Sequence, residues 1–411
     1  MKVKITGAGA AGCFCAANLL EMLCRKGLKA DVELVEKASR PLVKLGMTGG
    51  GRCNLTNTFE SVGWPQAGGR PVAEGRAMPG RRELASVYPR GNALMAKLLG
   101  RFGPAETMAW FESRGVRLKV EDGGRVFPAS DDAAEIVHCL KNALKGAVIR
   151  TGAAAECLDA GADISVITTG GGPGMQILQG LGIDTLSPVP SLFAFRTEDR
   201  ALRALAGISV SASLSIPGTG FRSEGPLLIG DFGLSGPAVL RLSSYAARHL
   251  AESGYKCPLA VNWLRSDEER ALSILESLKR DNPRKRLANA HPDSIPARLW
   301  AYLCVKAGIP AERTWGETGT AGVNKLRSLL CNDVLPIAGR SPFKEEFVTC
   351  GGVSAGAVDP LTLECKKIPG LYFAGEILDI DAVTGGFNLQ AAWSTGYAVA
   401  SAITERITAA R

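Results

Sequence analysis

Charged and apolar residues alternate from the start of the chain. Lys2-Val3-Lys4-Ile5-Thr6 reads as a short strand, and Asp31-Val32-Glu33-Leu34-Val35 as a second. A helical run from Cys13 to about Lys26 joins them. Helices are also predicted at 92–99, 105–114 and 131–145, and a hairpin pairs 116–120 with 125–128 around Asp122-Gly123-Gly124. Strands follow at 147–151, 153–158 and 164–168. After Leu186-Ser187-Pro188-Val189-Pro190 the texture changes. Short strands (192–196, 208–216, 227–229, 258–263) mix with helices (237–251, 268–280, 296–307, 323–330) up to about Pro342. The opening style then returns at 347–353 and 370–376, and a last helix opens at Gly385-Gly386 and ends near Ile407. The pattern predicts an α/β fold with a discontinuous Rossmann-like domain, residues 1–190 and 346–411, and an inserted α+β substrate or cap domain at 191–345.

The first strand runs straight into Gly7-Ala8-Gly9-Ala10-Ala11-Gly12. In this spacing Gly7 permits the tight turn, Gly9 lets backbone approach a pyrophosphate, and Gly12 lets helix and strand pack closely. The helix start offers free N–H groups and partial positive charge to phosphate. Glu36 closes the second strand, where a carboxylate accepts hydrogen bonds from an adenosine ribose. Strand, glycines, helix, strand and acid together form a dinucleotide-binding fingerprint. Thr168-Thr169-Gly170-Gly171-Gly172 is a second glycine turn at a strand end, the edge where such sheets hold ligands.

Composition narrows the field. With 411 residues, 46% of them hydrophobic, the chain can bury a large core and is expected to be globular in two or three domains. No uninterrupted apolar run spans a bilayer, and the first strand begins at residue 2, so a cytoplasmic location is expected. The eleven cysteines form no C-x-x-C pair and there are three histidines, which disfavours a zinc or iron–sulfur centre. Cys13, Cys15 and Cys24 are expected to be buried helix thiols. A net charge of +8 gathers at Arg70–Arg90 and Lys279–Arg286. Without interleaved aromatic residues in the second run, a solvated face, or attraction for an anionic cofactor or substrate, accounts for these charges better than single-strand stacking.

Gly46-Met47-Thr48-Gly49-Gly50-Gly51-Arg52-Cys53-Asn54 is a loop suited to pressing backbone against a ligand, with Arg52 as a polar arm. Cys53 lacks a nearby redox partner and is expected to be structural. Asp231 to Pro237 starts a helix whose amides could meet an anion, though a capping turn explains it equally well.

The N-terminal GAGAAG with Glu36, the central TTGG and the C-terminal LYFAGE resemble the two-dinucleotide-fold FAD flavoproteins of the glutathione-reductase type. Within these, TGGGRCNLTN (48–57), FGLSGPAVL (232–240) and the segment 370–400 are similar to the YhiN/BaiN-type family. The resemblance implies FAD as cofactor. Gly7, Gly9, Ala10, Ala11 and Gly12 would carry the pyrophosphate, Glu36 and Lys37 the adenosine end, and Ala155 the adenine. Gly51, Arg52 and Cys53 would lie along the ribityl and flavin side, with Thr169, Gly170, Gly375 and Glu376 near the ribityl chain or pyrophosphate. Gly386, Phe387, Asn388 and Leu389 would set helix-start amides against the flavin O2. Two features depart from the family: the loop after the central glycines is short, and Ala382 and Phe387 stand where Gly and Tyr are usual. The expected activity is hydride exchange between flavin N5 and a small or hydrophobic organic substrate, with NAD(P)H as a transient donor or oxygen as acceptor. No catalytic acid, base or metal is singled out, membrane and nucleic acid are not expected partners, and the oligomeric state is not legible. An RNA-directed flavoprotein and a flavin sensor without turnover are the competing readings.

Overall fold

The computed structural model describes residues 1–72, 79–154, 158, 161–310, 312–341 and 348–411. The chain divides into two compact units, Met1–Val189 with Val348–Arg411, and Pro190–Phe347.

The first unit is built on five parallel strands. They are β1 (Lys2–Thr6), β2 (Asp31–Val35), β3 (Val148–Arg150), β4 (Ile164–Ile167) and β5 (Leu371–Phe373), in the spatial order β5-β4-β1-β2-β3. Val3, Ile5, Leu34, Ile164, Val166 and Phe373 are buried, as a sheet covered on both faces requires. Strand succession runs outward from β1 in one direction to β2 and β3, and in the other to β4 and β5. The crevice between β1 and β4 is therefore the topological switch point, where open parallel sheets take their ligands.

Helix α1 (Ala10–Arg25) leaves β1 through the glycine turn, and α2 (Phe387–Ala409) is the last helix of the chain. α1 begins three residues before the sequence pattern predicts, because its first turn is made from the glycine–alanine stretch itself. The two helices pack together through small residues. A Cβ on Gly396 would lie 2.9 Å from the Ala11 carbonyl oxygen and 3.2 Å from the Cys15 nitrogen. Phe14 rests against Trp393 at 5.1 Å and Trp110 at 4.8 Å between ring centres. The predicted hairpin forms, Leu118–Glu121 pairing antiparallel with Arg125–Pro128.

The second unit holds a seven-stranded antiparallel sheet in the order 333–337, 257–262, 209–215, 222–230, 233–235, 195–196, 339–340. Val210, Ala212 and Leu214 point into a core that also buries Trp263, Trp300 and Trp315, while Ser209 and Ser211 face outward.

Several boundaries differ from the sequence expectation. The helix expected at 237–251 is two, Pro237–Tyr245 and Ala247–Glu252, broken at Ala246. The stretch where the texture changes, 186–190, lies inside strand Thr185–Ser191, paired with Val348–Val353. Pro188 and Pro190 are tolerated there because a two-stranded ribbon leaves one edge without a hydrogen-bonding partner. The glycines after β4 lead into a 3₁₀ turn, Gly172–Leu178, rather than an α-helix. The expected strand at 153–158 lies largely outside the described residues.

Gly396→Val is expected to force α1 and α2 apart, costing about 1–3 kcal/mol as overpacking. A lowered urea midpoint of the FAD-free chain, with the helical circular dichroism preserved, is the measurement that checks it.

Candidate functional site

The glycine turn at the end of β1 separates two kinds of constraint. A Cβ on Gly7, whose φ is +107°, would sit 2.5 Å from the Thr168 carbonyl oxygen, and one on Gly12 would sit 2.0 Å from that of Gly7. These two glycines are required by the fold. Gly9 is different: its φ is −82°, and a Cβ there would meet nothing within 4 Å. The space over Gly9 adjoins the first turn of α1, which no side chain caps. Open room beside uncapped N–H groups at the β1/β4 switch point suits a pyrophosphate.

Glu36 stands at the end of β2, and its carboxylate reaches back across the turn. Oε2 accepts from the Ala8 N–H at 2.8 Å and Oε1 from the Ala38 N–H at 2.9 Å. Each oxygen keeps a lone pair for a ribose hydroxyl. Lys37 beside it is exposed, and Ala155 lies outside the described residues.

On the other side of β1, Thr168 donates its hydroxyl to the Thr6 and Gly7 carbonyls at 3.0 and 2.7 Å, tying β4 to the turn. Thr169 donates to the Gly174 carbonyl at 2.8 Å, and Gly170 takes a φ of +77°. Its missing Cβ would be 3.6 Å from Glu376 Oε2, so these two meet. Gly375, at φ +75°, approaches Ala11 so closely that a Cβ would lie 2.7 Å from the alanine methyl. Glu376 Oε1 accepts from the Thr349 N–H at 2.6 Å. Burial holds the Glu376 carboxyl above the usual carboxylate range, while the Thr349 hydrogen bond and the Lys44 charge pull it back.

The loop 48–54 behaves differently from its sequence reading. Gly49, Gly50 and Gly51 all have positive φ (60°, 70° and 86°), and the Cβ directions of Gly50 and Gly51 are open. Arg52 is not a free polar arm. Its guanidinium pairs with Glu121 and with Asp131 (2.5 Å) and stacks 4.1 Å over the Phe127 ring. Cys53, at φ +57°, is fully buried, and burial pushes its thiol up to about 12. What this loop can give a ligand is backbone at Gly50 and Gly51, not these two side chains. Burial also raises the Cys15 thiol to about 12, and the ten cysteines among the described residues are all free.

Gly386 starts α2 with a φ of +94°, and a Cβ there would lie 2.3 Å from the Thr56 carbonyl oxygen. No side chain caps the helix. The Asn388 amide is closed on the Ala382 peptide, accepting from its N–H and donating to its carbonyl, both at 2.9 Å. Phe387 is buried edge-on against Phe59 at 4.8 Å, and its carbonyl accepts the Tyr88 hydroxyl at 2.7 Å. Leu389 is half-buried in the first turn. These three residues therefore hold the helix start in place, leaving its amides as the polar surface.

Two supports carried no sequence signal. Arg90 and Asp381 form a bidentate pair with Asp381 fully buried, anchoring the loop before Gly385. Gln390, also fully buried, accepts from Thr56 (2.5 Å) and Thr107 (2.9 Å) and donates to Ser394 (3.0 Å). Apart from Ser394, their partners are hundreds of positions away, so no local pattern could announce them.

This geometry defines a Rossmann-type dinucleotide-binding site. The family model described as HI0933-like protein Rossmann domain matches residues 153–402. A 3-dehydro-bile acid delta(4,6)-reductase of Clostridium scindens is 28% identical, covering 98% of this chain and 99% of its own length. Ribosomal RNA dihydrouridine synthases of Escherichia coli (28% identical, 96% of each chain) and Haemophilus influenzae (26%, 98% of each) are similar as well. Among solved structures, a 3-ketosteroid delta1-dehydrogenase from Sterolibacterium denitrificans superposes with a TM-score of 0.47 at 12% identity over 98% of this chain and 99% of that one. The chain belongs to the HI0933-like family. It is an FAD-dependent oxidoreductase, and FAD is the dinucleotide that the open cradle at Gly9 and the two uncapped helix starts fit. No helix among the described residues is long and apolar enough to cross a membrane, and none of their acidic, His and Cys side chains cluster as a metal site.

Gly9→Val and Gly12→Val should part company. The first is expected to leave melting of the FAD-free chain unchanged while weakening FAD binding about a hundredfold, roughly 2.7 kcal/mol. The second should lower the melting temperature, with or without FAD. Equal effects on both quantities would contradict the division of labour.

Glu376 gives a pH signature. Its folded pKa lies above the unfolded one, so the folded state holds more protons and stability is lost as pH rises through that window. Glu376→Gln cannot titrate. In FAD-free protein its stability relative to wild type should therefore increase as pH rises above the ordinary glutamate pKa of about 4.3, as read by urea midpoints.

Proposed function

We propose that this flavoenzyme adds hydrogen across a carbon–carbon double bond conjugated with a carbonyl group, drawing electrons from a nicotinamide nucleotide. The observation that carries the reading is shared bond chemistry. A delta(4,6)-reductase acting on a 3-dehydro bile acid and a synthase of dihydrouridine both reduce such a bond, and both resemble this chain over nearly its whole length at 28% identity. FAD, when bound, supplies the hydride, which suits the carbon distal to the carbonyl, with a proton completing the adjacent carbon.

The chain's own residues support this as binding and orienting groups. Glu36 and the first turn of α1 would hold the adenosine and pyrophosphate, and Glu376 the ribityl chain. The amides that open α2 at Gly386 would favour negative charge at the flavin O2, which reduction develops. The Asn388 clasp on Ala382 and the Arg90–Asp381 pair keep those amides aimed. Such preorganised dipoles act without reorganising during the reaction.

A second reading places the reducible bond in a uridine of RNA. Two relatives bear that name, and Arg284, Lys285 and Arg286 are exposed without ion-pair partners among the described residues.

Anaerobic mixing with NADH and with NADPH should bleach the flavin absorbance with at least one of them. The reduced protein should then be reoxidised by a 3-oxo-Δ4 steroid or by uridine-containing RNA faster than by a saturated ketone. Reoxidation by oxygen alone, with every unsaturated acceptor inert, would contradict the proposal.

A further inference from the structure

The basic run near residue 280 is not one feature. Lys279 donates to the Thr318 carbonyl at 2.5 Å, and Arg280 meets Asp281 at 3.2 Å and Ser277 at 3.1 Å. These two are committed at the end of helix Glu268–Asp281. The chain then turns at 283–284, with the Lys285 N–H donating to the Asn282 carbonyl at 3.0 Å, and pairs with 313–316. Gly316 N–H donates to the Pro283 carbonyl at 2.8 Å, Trp315 N–H to Lys285 at 3.0 Å, and Leu287 N–H to Arg313 at 2.9 Å. Leu287 and Trp315 are fully buried, which anchors this short ribbon in the core of the second unit. Arg284, Lys285, Arg286 and Arg313 stay exposed on it.

The neighbouring acids do not neutralise the three consecutive cations. Asp281 faces Arg280, and Glu317 accepts from the Thr314 N–H (2.9 Å) and hydroxyl (2.7 Å). No ion pair or side-chain hydrogen bond involves Arg284, Lys285 or Arg286 among the described residues, although most other arginines in the unit have such a partner. Three adjacent cations on a backbone pinned by a buried leucine and tryptophan concentrate positive charge on one short exposed segment. A partner with closely spaced negative charges complements that arrangement.

We infer that the 284–286 ribbon, with Arg313 beside it, is a docking surface for the phosphate backbone of RNA. The inference rests on the RNA reading given above and adds where the RNA is held. Backbone contacts position a nucleic acid without reading its bases, and they need no aromatic stacking platform. The lack of interleaved aromatic residues therefore argues against single-strand stacking and leaves phosphate docking intact.

The test uses the full FAD-loaded chain and a fluorescently labelled RNA hairpin with uridines in its loop, followed by anisotropy across a salt series. Each phosphate neutralised contributes about 0.7–0.9 to the slope of log affinity against log salt. Three contacts alone thus predict about a 20- to 40-fold loss between 50 and 200 mM salt. The variant R284S/K285S/R286S should bind more weakly at low salt, with its slope reduced by about 2–3. Its FAD content and its bleaching by nicotinamide nucleotides should match wild type. A charge-matched control, K29S/K97S/K145S, removes exposed lysines of the first unit and should leave the RNA slope nearly unchanged. An unaltered slope in the first variant, an equal fall in the control, or capture by anionic phosphatidylserine vesicles in place of RNA would overturn the inference. Binding is read without turnover, so failure of the reduction chemistry would appear separately, as a flavin that no unsaturated acceptor reoxidises.

Discussion

The structure depends on how closely backbone can approach backbone at the carboxyl end of β1. Within a few ångströms, the Gly7 turn meets Thr168, Gly12 meets the Gly7 carbonyl, Gly375 meets the Ala11 methyl, and Gly396 meets the first turns of α1. Each contact excludes a Cβ, so strand ends from three parts of the chain converge on one point. Thr168 ties β4 to this point through two carbonyls, and Thr395 ties Gly375 to α2 with a 2.9 Å hydrogen bond. The cofactor cradle is what remains open once these approaches are made. Gly9 is the one glycine of the fingerprint whose freed space is left for a ligand and not filled by protein.

That arrangement explains what could be read from the residues alone. The β1–turn–α1–β2 unit and Glu36 were legible because their interactions are local, within 36 residues, and their residue types answer to backbone geometry. The late strand Leu371–Phe373 and the glycine opening of α2 were legible for the same reason. Arg52 was misread as a polar arm because its partners, Glu121 and Asp131, lie 69 and 79 positions away. Arg90 and Asp381, 291 apart, were invisible to any pattern. In the second unit the antiparallel strand Asp333–Ile337 escaped notice. Its alternation of buried and exposed positions puts Pro336 on the outward face of an edge strand, where a missing N–H breaks no ladder.

The charges sort by the same logic. Asp381 is fully buried, yet Arg90 engages both its oxygens, so it acts as a fixed strut for the loop that leads to Gly386. A buried pair of this kind does little for net stability but holds one geometry, since separating it strands a charge in an apolar surround. Glu376 is the contrasting case: burial raises its pKa, while hydrogen bonds from the Thr349 backbone and side chain and the Lys44 charge pull it back. A carboxylate has more lone pairs than these use, which leaves capacity beside Gly170 for hydroxyls of the cofactor.

Cofactor and substrate therefore differ in how far the fold specifies them. The features that fit FAD here are backbone amides, helix ends and glycine-lined space, which follow from strand and helix placement. A substrate must be distinguished by side chains, and several of those expected on the flavin side are already engaged: Arg52 with two carboxylates, Asn388 with its own loop, Cys53 with Thr48. Relatives of equal resemblance can thus share the bond they reduce while differing in the molecule that carries it. The frame itself is fixed by close approaches at Gly7, Gly12, Gly375, Gly386 and Gly396, and Phe387 takes part in it, since a Cβ on Gly385 would lie 2.9 Å from its ring.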